Sequence, residues 1–206
     1  EEELDGNEKK FTMELYGQPQ YGWIVMTDDG HPYLYTEIRS ENDWRTMEVF
    51  DLKGEEIRHV GTSNDSPHGA LLNDPDGFYL TRRVDALGTY DAYRKFHVGE
   101  SGMPVAENDV YTKVNVCDSK EDEAALVSTR ELPVTMMEAD GSEKEEKLPV
   151  GTKYYVRATD LENFVDMELS DGRRCRLAVK KSDKGWGFEI DGVYEEDCFE
   201  FIPYAG

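Results

Sequence analysis

Long hydrophobic runs, catalytic signature motifs and a balancing supply of positive charge are all missing from this chain of 206 residues. A membrane-spanning helix needs roughly 20 consecutive apolar residues, and no stretch approaches that length, so we predict no transmembrane segment. Lys and Arg number 23 against 45 Asp and Glu, a formal net charge of −22. Such a surface repels phosphate backbones and anionic lipid, so nucleic acid and electrostatic membrane docking are both disfavoured.

Enzyme signatures are missing too. The sequence contains no G-x-S-x-G, no H-E-x-x-H and no glycine-rich phosphate loop. The four histidines are scattered, at His31, His59, His68 and His97. We therefore predict a protein without catalytic residues, cofactor or bound metal. Two catalytic carboxylates could still be hidden among the 45 acidic residues, so a cryptic hydrolase stays as an alternative.

Cysteine is scarce as well. Cys117, Cys175 and Cys198 are too few for a disulfide framework. Two interpretations stay open. Either Cys175 and Cys198 form one bridge in an oxidising compartment, or Cys175 is a small core residue and Cys117 a linker thiol.

Three segments rich in Asp, Asn and Gly have the composition of calcium loops: residues 28–30, 64–65 and 73–77. None of them supplies the alternating acids and distal Glu that a calcium loop commonly has. Because Asp, Asn and Gly also favour tight turns, we interpret all three as turns.

Polar and acidic segments divide the chain. Residues 1–10 begin Glu-Glu-Glu and predict a flexible acidic tether. With no Met or signal peptide at this start, we expect an upstream piece, and a lipid anchor there is one form it could take. Residues 117–130 lack apolar periodicity and predict an acidic linker. The two domains are then residues 11–116 and residues 131–206.

The first domain shows strands separated by turn residues. A strand pattern over residues 33–38 is followed by a polar break, a longer strand over 46–52, a glycine turn and a third run over 55–60. A similar rhythm returns over residues 78–106. Such runs are typical of antiparallel meanders, and we predict a sandwich of two meanders. A propeller fragment and a chance similarity are the alternatives.

The second domain contains a hairpin whose numbering constrains its turn. Directly opposed residues of an antiparallel pair point to the same face. The apolar sets on both strands are odd-numbered, so Leu169 opposite Cys175 and Met167 opposite Leu177 is a consistent pairing. This parity requires an odd number of loop residues, because a two-residue turn would put an arginine on the core face. We therefore predict a longer turn or a bulge, with Gly172 at positive φ.

Three motifs of this second domain are similar to those of a known family. They are Leu148-Pro149-x-Gly151-Thr152, a strand ending at Thr159-Asp160, and the Asp171-Gly172 hairpin. Together they resemble a bacterial SH3-like domain, a small five-stranded barrel of exported proteins, over residues 131–206. The whole chain is similar to exported lipoproteins of Gram-positive bacteria. The expected fold is all-β, an antiparallel meander or sandwich followed by a small SH3-like barrel, and the expected location is extracellular and anchored to the cell envelope.

The resemblance also implies a ligand groove lined by aromatic side chains. Its candidates are Tyr154, Tyr155, Trp186 and Tyr204, with a peptide or a cell-wall glycan as the ligand. The alternative for each aromatic residue is a place in the core, since a barrel of this size has few other large side chains.

A basic strip is unusual in so acidic a protein. By the register above, Arg174, Arg176 and Lys180 share the outward face of one strand. This face would suit a carboxylate-bearing partner or the acidic first domain. We prefer a simpler interpretation, in which Asp166 and Glu168 neutralise the strip across the hairpin.

The sequence thus predicts a non-catalytic binding or scaffold protein of the cell envelope, with a peptide or wall glycan as ligand and no defined oligomeric state. An accessory or inhibitor-like partner of an extracellular hydrolase is the first alternative, and the cryptic hydrolase is the second.

Overall fold

The computed structural model describes residues 17–41, 44–68, 72–74, 77–115, 123–183 and 185–205. The described chain is all-β: its strands pair antiparallel and it contains no α-helix. Within it, no helical segment has the length and hydrophobicity needed to cross a bilayer. The predicted tether at residues 1–10 and the linker thiol Cys117 lie outside the described residues.

The chain divides into two compact units at positions that differ from the predicted boundaries. The first unit contains Glu1–Arg82 and Lys95–Glu107, and the second contains Arg83–Arg94 and Asn108–Gly206. One long hairpin therefore contributes residues to both units. Sequence periodicity did not show this, because a hairpin that passes from one core to another keeps its period-two pattern throughout.

The described residues form eighteen strands. The first eight are β1 (Gln18–Met26), β2 (Pro32–Arg39), β3 (Arg45–Asp51), β4 (Arg58–Ser63), β5 (Leu72–Asp74), β6 (Gly77–Asp85), β7 (Thr89–Val98) and β8 (Pro104–Ala106). The others are β9 (Tyr111–Lys113), β10 (Leu126–Val127), β11 (Leu132–Met137), β12 (Glu143–Leu148), β13 (Lys153–Thr159), β14 (Phe164–Leu169), β15 (Arg174–Ala178), β16 (Lys180–Lys181), β17 (Phe188–Ile190) and β18 (Val193–Tyr194).

The first unit is a sandwich of two antiparallel layers, in agreement with the predicted meanders. One layer has the strand order β1-β2-β3-β4, and in the other β6 and β7 lie side by side between β5 and β8. Alternate residues of both layers meet in one core: Tyr35 of β2, Val49 of β3, Phe78 of β6 and Phe96 of β7 are all buried. The rings of Tyr35 and Phe78 touch edge to face, with centroids 5.9 Å apart.

A glycine fixes the position of two core tyrosines in this unit. Gly102 has φ +86, and a Cβ placed on it would overlap the ring of Tyr33. Its carbonyl accepts a hydrogen bond of 2.7 Å from the buried hydroxyl of Tyr35. Only glycine combines this backbone conformation with so close an approach.

The second unit contains an open sheet. Its strands follow the order β12-β11-β15-β14-β13-β9-β7, and β10 also pairs with β13. The expected SH3-like barrel is not confirmed, because the sheets do not close. Closing the barrel would require a free edge on β13. That edge instead pairs with β10 at Tyr154 and with β9 at Ala158, on either side of an irregularity in the strand. Val127 thus belongs to this sheet rather than to the predicted linker, and residues 116–122 lie outside the described residues.

The β14–β15 hairpin has the predicted odd number of loop residues, but its strands pair in a different register from the predicted one. The Leu169 amide donates a hydrogen bond to the Arg173 carbonyl, which leaves a three-residue loop that ends at Gly172, and Gly172 has φ +88. An odd loop was predicted, and so was the positive φ. The pairing itself is Met167 with Cys175 rather than with Leu177, two residues from the predicted register. Parity fixes which face a residue occupies, but only the tightness of the loop selects among registers that differ by two.

The apolar faces of this sheet form the core of the second unit. Cys175 and Leu177 of β15 are fully buried there, together with Met167 of β14 and Cys198. Cys175 and Cys198 are both free thiols. The structure therefore supports the interpretation of Cys175 as a small core residue and shows no bridge between the two.

Candidate functional site

The first unit carries an open groove of about 1280 Å³. Its walls come from β1, from the turn that joins β1 to β2, and from the ends of β6 and β7. Aromatic side chains line it, namely Trp23, His31, Tyr33, Phe78 and His97. We call this the β1 groove. The β1 groove is concave, as ligand sites typically are, and it combines these aromatic side chains with polar and acidic ones.

The turn from β1 to β2 explains why the groove has an acidic side. Thr27 and Gly30 close the turn with a backbone hydrogen bond of 2.8 Å, and Gly30 has φ +78. This confirms that residues 28–30 form a turn. Asp28 and Asp29 at its tip line the groove, as does Glu100 after β7. A hydrogen bond from the Thr27 hydroxyl lowers the pKa of Asp29, so this side is anionic at neutral pH.

His31 is held in a fixed orientation in the groove wall. Its Nε2 lies 2.6 Å from Oδ1 of Asp51, and its ring stacks on Tyr33 with centroids 4.5 Å apart and planes 3° from parallel. Asp51 also accepts hydrogen bonds from Arg58 Nη2 at 3.0 Å and from the Lys53 amide at 2.9 Å. The bond to His31, followed by those from Lys53 and Arg58, lowers the pKa of Asp51 to about 2 against the opposing effect of burial. Asp51 is thus an ionised anchor beneath the groove.

Strand β1 forms the outer edge of its layer. Among the described residues it pairs with β2 alone. Three large side chains on it are exposed: Tyr21, Ile24 and Met26, at 53%, 60% and 54%. An edge strand with apolar side chains is a template for pairing with another extended chain.

The predicted ligand residues of the second unit do not converge on one groove. Tyr154 is completely buried in the core, and Tyr155 is nearly so. Trp186 and Tyr204, by contrast, are in contact, with ring centroids 5.6 Å apart and planes at 76°. Trp186 also meets Tyr194 at 6.0 Å and 85°. We call Trp186, Tyr194 and Tyr204 the C-terminal aromatic cluster.

A buried carboxyl group lies against this cluster. Glu195 is 0% exposed, and its Oε1 accepts a hydrogen bond of 2.7 Å from the Tyr204 hydroxyl. Burial raises the pKa of Glu195, against the lowering effects of Tyr204 and the Phe188 amide. Its Oε2 is buried and has no hydrogen-bond partner among the described residues.

Of the basic strip, Arg176 is paired across the hairpin as the simpler interpretation predicts, but the predicted partner Glu168 contacts a residue outside the strip. Arg176 binds Asp166 with two hydrogen bonds of 2.7 and 2.9 Å, and its guanidinium lies 3.7 Å from the centre of the Phe164 ring. Glu168 pairs with Arg157 instead, at 3.0 Å. Arg174 and Lys180 are exposed, and they lie on separate strands because β15 ends at Ala178.

Sequence reasoning did not find the β1 groove. Its walls join residues 22–33 to residues 77–78 and 97–100, and no local pattern brings those segments together. The available signal was an aromatic strand followed directly by Asp28 and Asp29. No three His, Cys, Asp or Glu side chains among the described residues converge as metal ligands.

Comparison with protein-family models, with curated proteins and with solved structures gave no match to this chain. The function is therefore argued from the two sites described above.

Proposed function

We propose that the protein is a non-catalytic binding protein of the cell envelope, and that its β1 groove holds an extended peptide with basic side chains. One observation carries the proposal: an exposed edge strand, β1, forms a wall of an open aromatic groove. A peptide that adds to this edge gains main-chain hydrogen bonds from β1 and apolar contacts from the groove.

The charge of the groove favours a basic peptide. Asp28, Asp29 and Glu100 line it, in a protein whose formal net charge is −22. Long-range attraction of this kind accelerates the encounter with a cationic partner and repels an anionic one. Salt should therefore weaken binding through a slower association rate.

Trp23 is the side chain whose loss should reduce binding most. It is half-buried, lines the groove and packs against the core of the first unit. Aromatic residues in such positions commonly contribute 2 kcal/mol or more to binding, so we expect Trp23→Ala to weaken it by roughly tenfold or more. Trp44→Ala is the matched control, because Trp44 belongs to the same unit, is 42% exposed and does not line the groove.

The test measures binding of an alternating Lys-Val peptide and of its Glu-Val counterpart by fluorescence anisotropy. Wild type and Trp44→Ala should bind the Lys-Val peptide, Trp23→Ala should bind it weakly, and the Glu-Val peptide should not bind. Equal binding of both peptides, or no effect of Trp23→Ala, would refute the proposal. If the protein is retained on peptidoglycan fragments, and Trp23→Ala is retained equally well, a wall glycan bound outside the β1 groove would be favoured instead.

A hydrolase is the second candidate, because His31 and Asp51 have the geometry of a general base and its orienting carboxylate. The neighbouring Thr27 hydroxyl does not complete a catalytic set. Thr27 Oγ1 accepts a hydrogen bond from the His31 amide at 3.0 Å, not from the ring. Cleavage of peptidoglycan fragments by wild type, abolished in His31→Ala, would establish catalysis.

The location at the envelope is supported by the resemblance of residues 131–206 to domains of exported proteins. Fractionation of the producing cells tests it. We expect the protein in the membrane and wall fractions, whereas recovery in the cytosol alone would contradict this part of the proposal.

A further inference from the structure

We propose that the C-terminal aromatic cluster binds an alkylated ammonium group, with Glu195, beside the Tyr204 hydroxyl, supplying the compensating negative charge. The site belongs to the second unit and is independent of the β1 groove.

The exposed ring of Trp186 is the surface that a cation would contact. Trp186 is 56% exposed, and it meets Tyr194 and Tyr204 edge to face, at 85° and 76°. These two contacts hold the indole in place while more than half of its surface stays open to a ligand. A cation within about 6 Å of an aromatic face is attracted by its quadrupole, and Trp is the strongest of the three aromatic types.

Glu195 adds a negatively charged group to the aromatic cluster. Its carboxyl group accepts a hydrogen bond of 2.7 Å from the Tyr204 hydroxyl. An anionic acceptor polarises the phenol and places more electron density on the Tyr204 ring. The carboxylate therefore adds to the attraction for a cation both directly and through that ring.

The position of Glu195 is built into the backbone. Gly187 has φ +71, and a Cβ placed on it would overlap Glu195 Oε1 and approach the Tyr194 hydroxyl oxygen to 2.9 Å. Only glycine fits between the carboxyl group and the cluster.

No cation of the chain itself compensates this carboxyl group in the described part. The groups that act on it are the Tyr204 hydroxyl, the Phe188 amide and the like charge of Glu196. Its Oε2 is buried without a hydrogen bond from any described residue. A buried carboxylate without a counter-charge is costly, and an external cation in the cluster would lower that cost.

The ligand is an alkylated ammonium rather than a metal ion or a guanidinium. A metal ion needs several oxygen ligands, and the described residues offer no such group. Arg and unmodified ammonium ligands carry N–H donors that need acceptors, whereas Oε2 is covered. A quaternary ammonium has no donor to satisfy and matches the aromatic surface.

The experiment titrates the protein with choline and with 3,3-dimethyl-1-butanol, its uncharged isostere, and follows the Trp186 indole N–H by NMR. Choline should give a saturable shift and the isostere should not. Tyr194→Ala keeps the Trp186 reporter and should weaken choline binding, whereas Trp44→Ala should leave it unchanged. Glu195→Gln keeps the shape of the side chain and should weaken binding by about fivefold.

Three results would overturn the proposal: no saturable shift with choline, equal binding of the isostere, or unchanged affinity in Glu195→Gln. The first two comparisons need no variant, so a variant that fails to fold leaves the test decisive. Loss of peptide binding to the β1 groove has no bearing on this result, because choline is detected at Trp186 alone.

Discussion

The two units treat a buried carboxyl group in opposite ways. In the first unit, Asp51 has His31 and Arg58 as partners, and its pKa is lowered to about 2. In the second unit, Glu195 has a neutral phenol as its side-chain partner, and burial raises its pKa. A carboxylate that accepts several hydrogen bonds stabilises the wall it belongs to, whereas a buried one without a counter-charge costs free energy until something else supplies the charge.

This difference separates the two proposed binding surfaces. The β1 groove has a wall held by internal contacts and an acidic side that would face a ligand. The C-terminal aromatic cluster has beside it a buried carboxyl group whose Oε2 has no hydrogen-bond partner among the described residues. The first should depend on the shape of the wall, and the second on the charge of its ligand.

The largest expected loss of stability comes from a substitution that disturbs the wall of the first unit. Gly102→Ala places a methyl group in the Tyr33 ring and forces a residue with φ +86 into a disfavoured conformation. We expect the first unit to lose about 3 kcal/mol of unfolding free energy. Gly54→Ala is the matched control, since Gly54 has φ +97 but no atom within 4 Å of the added Cβ, and it should cost about 1 kcal/mol.

Urea unfolding with unit-specific probes measures this difference. Trp23 and Trp44 report on the first unit, and Trp186 on the second, so single-Trp variants separate the two transitions. If Gly102→Ala and Gly54→Ala lower the unfolding free energy equally, the Tyr33 ring moves to accommodate the added methyl group at little cost.

Removing the two carboxylate charges should have opposite results. Asp51→Asn leaves His31 and Arg58 without their anion, and we expect a loss of about 2 kcal/mol in the first unit at neutral pH. Glu195→Gln removes a charge that burial disfavours, so the second unit should be unchanged or more stable. Destabilisation of both units by similar amounts would remove the contrast.

The stabilities of the two units should depend on pH in opposite directions. The folded pKa of Asp51 lies near 2, below its ordinary value of 3.8, so its contribution is present above that value and is lost as pH falls toward 2. The folded pKa of Glu195 lies above 4.5, so its contribution is present below 4.5 and is lost as pH rises through the raised pKa. Unfolding free energies measured from acid to neutral pH should lose the first dependence in Asp51→Asn and the second in Glu195→Gln.

The smallest expected effect concerns the Arg176–Asp166 pair of the basic strip. Arg176→Lys keeps the charge but loses the two-pronged contact with Asp166 and the stacking on Phe164. Because the pair lies partly in solvent, we expect a loss of about 0.5 kcal/mol in the second unit. Arg173→Lys, at an exposed pair with Asp171, should change nothing measurable. A loss well above 1 kcal/mol at Arg176 would show that the strip contributes more than surface pairing.

Local patterns predicted antiparallel strands in both domains and, for the β14–β15 hairpin, the side of the sheet on which each residue lies. They did not predict β1, the strand that forms a wall of the groove. They could not select among registers that differ by two, because Met167 faces the same core opposite either Cys175 or Leu177. They also missed the transfer of residues 83–94 to the second unit, since pairing of β9 with β13 is a contact distant in sequence. Glu195 stands in an acidic run with Glu196 and Asp197, and only the tertiary fold shows which of the three is buried.

Amide hydrogen exchange of β1 tests the central claim most directly. An extended peptide that adds to the open edge forms main-chain hydrogen bonds with this strand and slows the exchange of its amides. We expect the alternating Lys-Val peptide to protect amides within Gln18–Met26 and to leave Phe188–Ile190 of the second unit unchanged. Protection confined to the second unit, or peptide binding without protection of Gln18–Met26, would contradict the account.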